Sequence, residues 1–493
     1  VVELDGPFPT GVGVSWMGAL SEHYRRAREL HPNDELCIVF DIDGTIVDPR
    51  HLIVRALLEC DRHRGTELFR GLVAADISHH EDDVESLLTS LDVPAHERPA
   101  VAAHYREYLW DDEAVVAASR PFEGVLAVIR WFQLQPDTTI ALNTGRSHTM
   151  RAATLASLNT MGEAFRVRFE PELLFTTEEG ADVPRAKVAA LDELARRGTR
   201  VVAVVDNEPE NLRAMAEACG DDEVLFLHAD TIFTSQRSPH DRVVAGRDYR
   251  LRDLVPPRSM LDRVTFVWHG VNDGVNLARY LASEIGWAEV DVRSDPFGRL
   301  VLRHDAFDVT PWTRDEPMLL ATEAVPRLVA AGRSVKLDLK EDGPTLLRSI
   351  DLASSLDVDD DRLWFNAELP VLGETGFTVL RQRFPTATIS CPVDFIVPLL
   401  SASRNATDRI LEELAAWGIS RLSVRWGPDA RRVLDALEAR GWEVNVYDVP
   451  YLEAFLWSSL LLPTSVTADF CFPEWGYAGR GSGADGAVHR SRP

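Results

Sequence analysis

The sequence predicts an α/β chain of two parts, an open doubly wound sheet followed by a (β/α)₈ barrel. Three observations carry this prediction. Strand-like runs alternate with long helical stretches up to Leu254-Val255-Pro256-Pro257, a shorter strand–helix rhythm begins at Val264, and eight strand candidates follow that break. At 493 residues the chain is also too long for one ordinary domain.

In the first part the strand candidates are Leu36–Phe40, Thr139–Leu142, Leu173–Phe175, Arg200–Val205 and Glu223–Leu227. Helices between them place this half in the doubly wound class, whose ligands bind at the carboxyl ends of the strands. A helix is expected over Met17 to Leu30. The strand-poor interval from about Leu52 to Ser119 has helical Leu and Ala spacing and reads as an inserted all-helical cap, with Pro121-Phe122-Glu123-Gly124 resuming the core.

After the break the strand candidates are Val264–Trp268, Trp287–Val292, Ser334–Leu339, Leu363–Glu368, Ala387–Ser390, Arg421–Trp426, Glu443–Val449 and Ser465–Phe470. Helices are expected over Gly274–Ile285, Glu316–Ala331, Ser403–Trp417 and Ala430–Arg440, which completes the alternation of a barrel. The segment Gly479 to Pro493 is rich in Gly, Ser and Arg and reads as a disordered tail.

Composition narrows the function classes. The chain is 45% hydrophobic and 26% charged, and no run approaches the roughly 18 apolar residues of a membrane span. A formal charge of −26 argues against a duplex nucleic-acid partner, which calls for a basic face. The five cysteines include no C-x-x-C pair, so reduced thiols are expected rather than a disulfide framework or zinc site. Val1 to Thr10 shows neither the basic start nor the apolar core of a secretory signal. A cytoplasmic protein fits these features.

The first candidate site follows the apolar run Leu36 to Phe40, which ends in Asp41-Ile42-Asp43-Gly44-Thr45. Acids two residues apart at a strand end share one side, so their repulsion calls for a cation or a proton. Thr144 follows at the tip of Thr139-Ile140-Ala141-Leu142-Asn143-Thr144-Gly145-Arg146, Lys187 opens a helix, and Asp206-Asn207 ends the strand from Val201. This order resembles the haloacid dehalogenase-like hydrolases over residues 34–255, a Rossmann-like fold with a helical cap. The resemblance implies Asp41 as the nucleophile that forms an aspartyl-phosphate, and Asp43 as general acid and then base. It implies Thr144 and Lys187 as ligands of the phosphoryl group. Mg²⁺ would be held by Asp41, the Asp43 backbone carbonyl and Asp206. Asp43 favours phosphoryl chemistry over dehalogenation, which needs no acid there.

In the second part, alternation turns Lys336, Asp338 and Lys340 to one face of their strand and Glu289 with Asp291 to one face of another. Asn366 with Glu368, Ser423 with Arg425, and Asn445 with Tyr447 repeat the pattern. A barrel interior is normally branched and apolar, so inward polar residues point to a site. His269 ends the first strand and His304 follows the second. Glu289, Asp291 and Asp338 are candidate ligands for one Mg²⁺ or Ca²⁺, with the two imidazoles as acid and base on a phosphodiester.

His269, Glu289-Val290-Asp291, His304-Asp305 and Asp338-Leu339-Lys340 together resemble the glycerophosphodiester phosphodiesterase-like TIM barrels over residues 262–475. The H-x-V-N and D-L-K details are closer to sphingomyelinase D-like members, and Trp364 to Glu368 resembles the menorin-type family. Val466-Thr467-Ala468-Asp469 echoes the closing strand. Gly270 stands where the glycerophosphodiesterases carry Arg, so Lys340, Arg293 or Arg425 must supply the phosphate-gripping charge. The resemblance implies diester cleavage and leaves hydrolysis and cyclisation open. The combined expectation is a two-domain metal-dependent phosphoesterase acting on small phosphorylated substrates. Its rival is a phosphatase whose barrel only binds a phosphorylated ligand or supports oligomers.

Overall fold

A computed structural model describes residues 15–219, 223–232, 242–256, 259–260, 263–313, 316 and 318–468. It divides into two compact units, Val1–Pro256 and Pro257–Pro493. The expected tail at 479–493 and Asp469 lie outside the described residues.

The first unit is built on six parallel strands: β1 (Leu36–Phe40), β2 (Thr138–Ser147), β3 (Leu174–Thr177), β4 (Arg200–Asp206), β5 (Leu225–Ala229) and β6 (Val243–Gly246). Their order is β3-β2-β1-β4-β5-β6, the Rossmann-like arrangement. All five residues of β1 are buried, as a central strand covered on both faces requires. The short edge strand β6, which pairs with Phe226–Ala229, is not among the strand candidates of the sequence.

Between β1 and β2 the chain forms helices Arg50–Arg64, Val84–Ser90, Arg98–Tyr108 and Asp112–Ala118. Leu52, Ile53, Leu57, Phe69, Leu87, Leu88, Val101 and Tyr105 pack into a core of their own. The sheet keeps a separate one around Val39, Leu194, Val204 and Met215. The interval is therefore a small helical module with its own hydrophobic stabilisation.

The second unit is a closed barrel of eight parallel strands: β7 (Thr265–Trp268), β8 (Trp287–Ser294), β11 (Ser334–Leu339), β12 (Leu363–Asn366), β13 (Thr388–Pro392), β14 (Arg421–Arg425), β15 (Glu443–Val449) and β16 (Ser465–Ala468). β16 pairs with β7, and β7 with β8, which closes the ring. Two strands absent from the sequence reading, β9 (Leu300–Leu302) and β10 (Leu319–Leu320), extend β8 in antiparallel fashion. Leu319 and Leu320 pair with Leu302 and Val301, so the helix expected from Glu316 starts at Ala321. The helix from Gly274 stops at Leu281, where Ser283 bonds the Tyr280 carbonyl and accepts from the Ile285 amide.

Register sets the barrel's polar layers. Lys336 lies level with Glu289 and Trp364, while Asp338 lies level with Asp291 and Asn366. Paired residues share a face, so each level brings its side chains together. Among the described residues no helix is long and apolar enough to cross a membrane. No disulfide joins Cys37, Cys60, Cys219 and Cys391.

Candidate active sites

In the first unit several segments deliver side chains to one cavity of about 990 Å³. The turn after β1 supplies Asp41 and Asp43, β2 supplies Thr144 and Arg146, helix Val183–Arg196 supplies Lys187, and the turn after β4 supplies Asn207 and Glu208. Gly44 makes the first turn possible. It has φ +75°, and a Cβ there would lie 2.2 Å from Asn207 Nδ2.

Lys187 is the hub of this site. Its Nζ donates to Asp41 Oδ1 at 2.7 Å and to Asp206 Oδ2 at 2.5 Å, with all three side chains buried. Asn143 Nδ2 bonds the Lys187 carbonyl at 3.0 Å and so ties the helix start to β2. Burial would discharge Lys187, but Asp206 and Asp41 outweigh it and hold the ammonium charged. Burial raises the Asp41 carboxyl against the pull of Lys187. Asp206 Oδ1 accepts from the Glu208 amide at 2.8 Å, and Thr45 Oγ1 reaches Asp41 Oδ2 only at 3.4 Å.

Asp43 turns instead to Arg146, whose Nε and Nη2 donate to Asp43 Oδ2 and Oδ1 at 2.7 and 2.6 Å. Arg146 is itself buried against Thr154 Oγ1 and the Trp110 ring. In the sequence Arg146 stands out only as the last residue of the Thr144-Gly145-Arg146 strand tip. Its position two residues after Thr144 put it on the same strand face, which was the available signal. Thr144 is buried, and its Oγ1 accepts from the Arg146 amide at 3.2 Å. The cap contributes His80, Glu81 and Trp110, for which no sequence signal existed.

In the barrel, His269, Glu289, Arg293, His304, Asp338 and Lys340 line a cavity of about 610 Å³. Asp291 lies just beneath, fully buried, and exchanges two hydrogen bonds with Asn272. Burial would raise the Asp291 carboxyl, but Lys340 and the two histidines more than reverse this. Lys340 Nζ bridges Asp291 Oδ1 at 3.0 Å and Asp338 Oδ2 at 2.5 Å, and Lys336 Nζ pairs with Glu289 Oε1 at 3.0 Å. Asn366 donates to Asp338 Oδ1 at 2.9 Å. His304 Nδ1 stands 2.9 Å from Asp305 Oδ1, and Arg293 Nε donates to the His304 carbonyl.

Of the three cations considered in place of an Arg at 270, Lys340 is enclosed by acids and Arg293 lies 3.5 Å from Glu341. Arg425, half exposed, lines the same cavity 3.4 Å from Asp448.

The donor sets fit a hard cation in chemistry. The first combines two carboxylates with the Asp43 backbone carbonyl, the second is made of carboxylate oxygens, and there the buried Glu289 Oε2 has no hydrogen-bond partner. Among the described residues no three His, Cys, Asp or Glu side chains stand at metal-holding spacing. Lysine ammonium groups instead sit between the acids in both cavities.

Residues 36–223 match the family model of haloacid dehalogenase-like hydrolases. The chain is 34% identical over 131 residues to the 5'-nucleotidase SurE of Halobacterium salinarum, a match that covers 26% of this chain and 44% of that protein. It thus spans less than half the length of the curated relatives it matches. Among solved structures, a phosphodiesterase of Oleispira antarctica in complex with the product sn-glycerol-3-phosphate is 16% identical, with a TM-score of 0.32, over 42% of this chain and 94% of that one. A haloacid dehalogenase-like family protein of Streptococcus pneumoniae is 14% identical, with a TM-score of 0.28, over 43% and 93%.

Proposed function

We propose that the chain is a two-domain metal-dependent phosphoesterase, with residues 34–255 cleaving phosphomonoesters and residues 262–475 cleaving phosphodiesters. The observation that carries the first half is the buried Asp41–Lys187–Asp206 cluster opening onto the cavity that also holds Thr144. An Asp41 oxygen attacks phosphorus while the ester P–O bond breaks, and the departing alkoxide takes a proton from the Asp43 carboxyl. Asp43 then accepts a proton from water, whose oxygen displaces Asp41 from phosphorus and releases inorganic phosphate. Thr144 and Lys187 hold the phosphoryl oxygens. For Asp43 to act, its pair with Arg146 must open, so substrate entry has to compete for that guanidinium. A Mg²⁺ ion held by Asp41, the Asp43 carbonyl and Asp206 would offset the charge of the phosphoryl group.

In the barrel, one of His269 and His304 takes the proton of the attacking hydroxyl, from water or the substrate itself. The other protonates the leaving oxygen. Asp305 orients His304. Glu289, Asp291 and Asp338 would hold Mg²⁺ or Ca²⁺, which would clamp the diester. The rival reading, a barrel that only binds a phosphorylated ligand, draws on Lys340, whose ammonium already bridges Asp291 and Asp338.

The test is turnover of a chromogenic phosphomonoester and phosphodiester with Mg²⁺ or Ca²⁺ by wild type, Asp41→Asn and His269→Ala. The proposal requires each variant to lose one activity and keep the other. Diester cleavage that is absent under every metal, or survives His269→Ala, leaves only the binding role for the barrel.

A further inference from the structure

In the barrel each candidate metal ligand has one oxygen already taken by a buried donor. Lys336 Nζ lies 3.0 Å from Glu289 Oε1. Asn272 Nδ2 donates to Asp291 Oδ2 at 2.5 Å, and Asn366 Nδ2 donates to Asp338 Oδ1 at 2.9 Å. One oxygen of each acid is left over. Glu289 Oε2 is buried without a hydrogen-bond partner, and Asp291 Oδ1 and Asp338 Oδ2 share the Lys340 ammonium.

The three donors are each fixed by a further contact. Asn272 Oδ1 accepts from the Asp291 amide at 2.9 Å, which sets the orientation of its side-chain amide. Asn366 Oδ1 accepts from Ser390 Oγ at 2.6 Å, and that hydroxyl accepts from Trp364 Nε1 at 2.7 Å. Lys336, 2% exposed, also reaches Thr467 Oγ1 at 3.4 Å and stands 4.6 Å from the centroid of the Trp364 ring. A carboxylate oxygen that turned away from such a donor would strand a buried N–H. Lys340 differs. Its side chain is 20% exposed and lines the cavity, so it can withdraw from Asp291 and Asp338 when an ion competes for them.

We propose that Lys336, Asn272 and Asn366 are positioning residues that make the barrel select Mg²⁺ over Ca²⁺. This rests on the metal-dependent reading of the barrel above and narrows its ion. With one oxygen to offer, each acid is confined to a single contact with the ion. Such oxygens, completed by water and phosphate oxygens, suit the octahedral shell of Mg²⁺. Ca²⁺ gathers about six to eight oxygens and often takes both from one carboxylate, which these donors prevent.

The test is equilibrium dialysis of the full chain against Mg²⁺ or Ca²⁺, the barrel's share being the binding lost in Glu289→Gln. Wild type should hold Mg²⁺ in the barrel about tenfold more tightly than Ca²⁺. Asn366→Ala releases Asp338 Oδ1 and Lys336→Met releases Glu289 Oε1, and each should shift the affinity ratio about tenfold toward Ca²⁺. A Ca²⁺ preference in wild type overturns the inference and leaves the barrel a metal site. An equal loss of both ions in the variants, the outcome of a purely structural role, overturns it too. Binding of neither ion that depends on Glu289 sinks the metal-dependent reading itself. Circular dichroism checks the folding of both variants, and if neither folds the wild-type ratio decides.

Discussion

In the first unit the ammonium between two buried acids, Lys187, comes from a helix 146 residues after Asp41, whereas in the barrel Lys336 and Lys340 flank Asp338 on β11 and the residue that follows it. Both arrangements offset carboxylates that converge at strand ends. The open sheet gathers its charges by topology, from turns and a helix distant in sequence. The barrel gathers them by alternation, because every second residue of β8 and β11 faces inward. Their burial differs too: the Lys187 side chain is 2% exposed and that of Lys340 20%. The first site is thus a tight cluster of few members, and the second a polar network spread over several strands.

That contrast can be broken most sharply at the nucleophile. Asp41→Asn should lower monoester turnover by more than about 10³-fold and leave diester turnover unchanged, as read by steady-state assays. A parallel fall in both activities would mean that the sites are not independent. His269→Ala should lower diester turnover by about 10²–10⁴-fold and spare the monoesterase.

Next in size are the lysines. Lys187→Met leaves Asp41 and Asp206 facing each other in the dark of the core, and should cost about 3–5 kcal/mol. Lys340→Met acts on a partly solvated pair of acids and should cost about 1–3 kcal/mol. Urea unfolding, with hydrogen exchange to assign the loss to β1 or to β11, checks the order. An equal or larger cost at Lys340 would mean that the spread network is no more tolerant than the tight cluster.

The smallest expected difference concerns two strand-tip glycines. Gly270 has φ +71° and open space around its would-be Cβ, so Gly270→Ala should cost only the backbone term, about 1–2 kcal/mol. Gly44→Ala adds the clash with Asn207 and should cost more, measured by the same unfolding series. Equal losses would show that Asn207 moves aside freely.

The sequence revealed these two sites to different depths. Alternating lysines and acids made the inward face of β11 legible without any structure, and β8 likewise, because a period of two maps directly onto faces. The central strands of the first unit were legible as apolar runs with abrupt acidic ends. Lys187 was not distinguishable from a solvated helical lysine by pattern alone, and only a family resemblance placed it beside Asp41. The Arg146–Asp43 pair is not legible in the sequence because its members stand 103 residues apart and meet only when cap and core have folded. His80 and Glu81 sit in a loop with no periodicity, and their approach to the cavity depends on how the cap packs on its own core. Strands β9 and β10 escaped because two or three residues are too few for alternation to register.

Trapping the covalent state tests the central claim most directly. Protein quenched with acid during turnover of a phosphomonoester, then digested and analysed by mass spectrometry, should carry one phosphate on the peptide containing Asp41. The adduct should vanish in Asp41→Asn. Sustained monoester turnover in wild type with the phosphate on another residue, or in Asp41→Asn at an undiminished rate, would contradict the account.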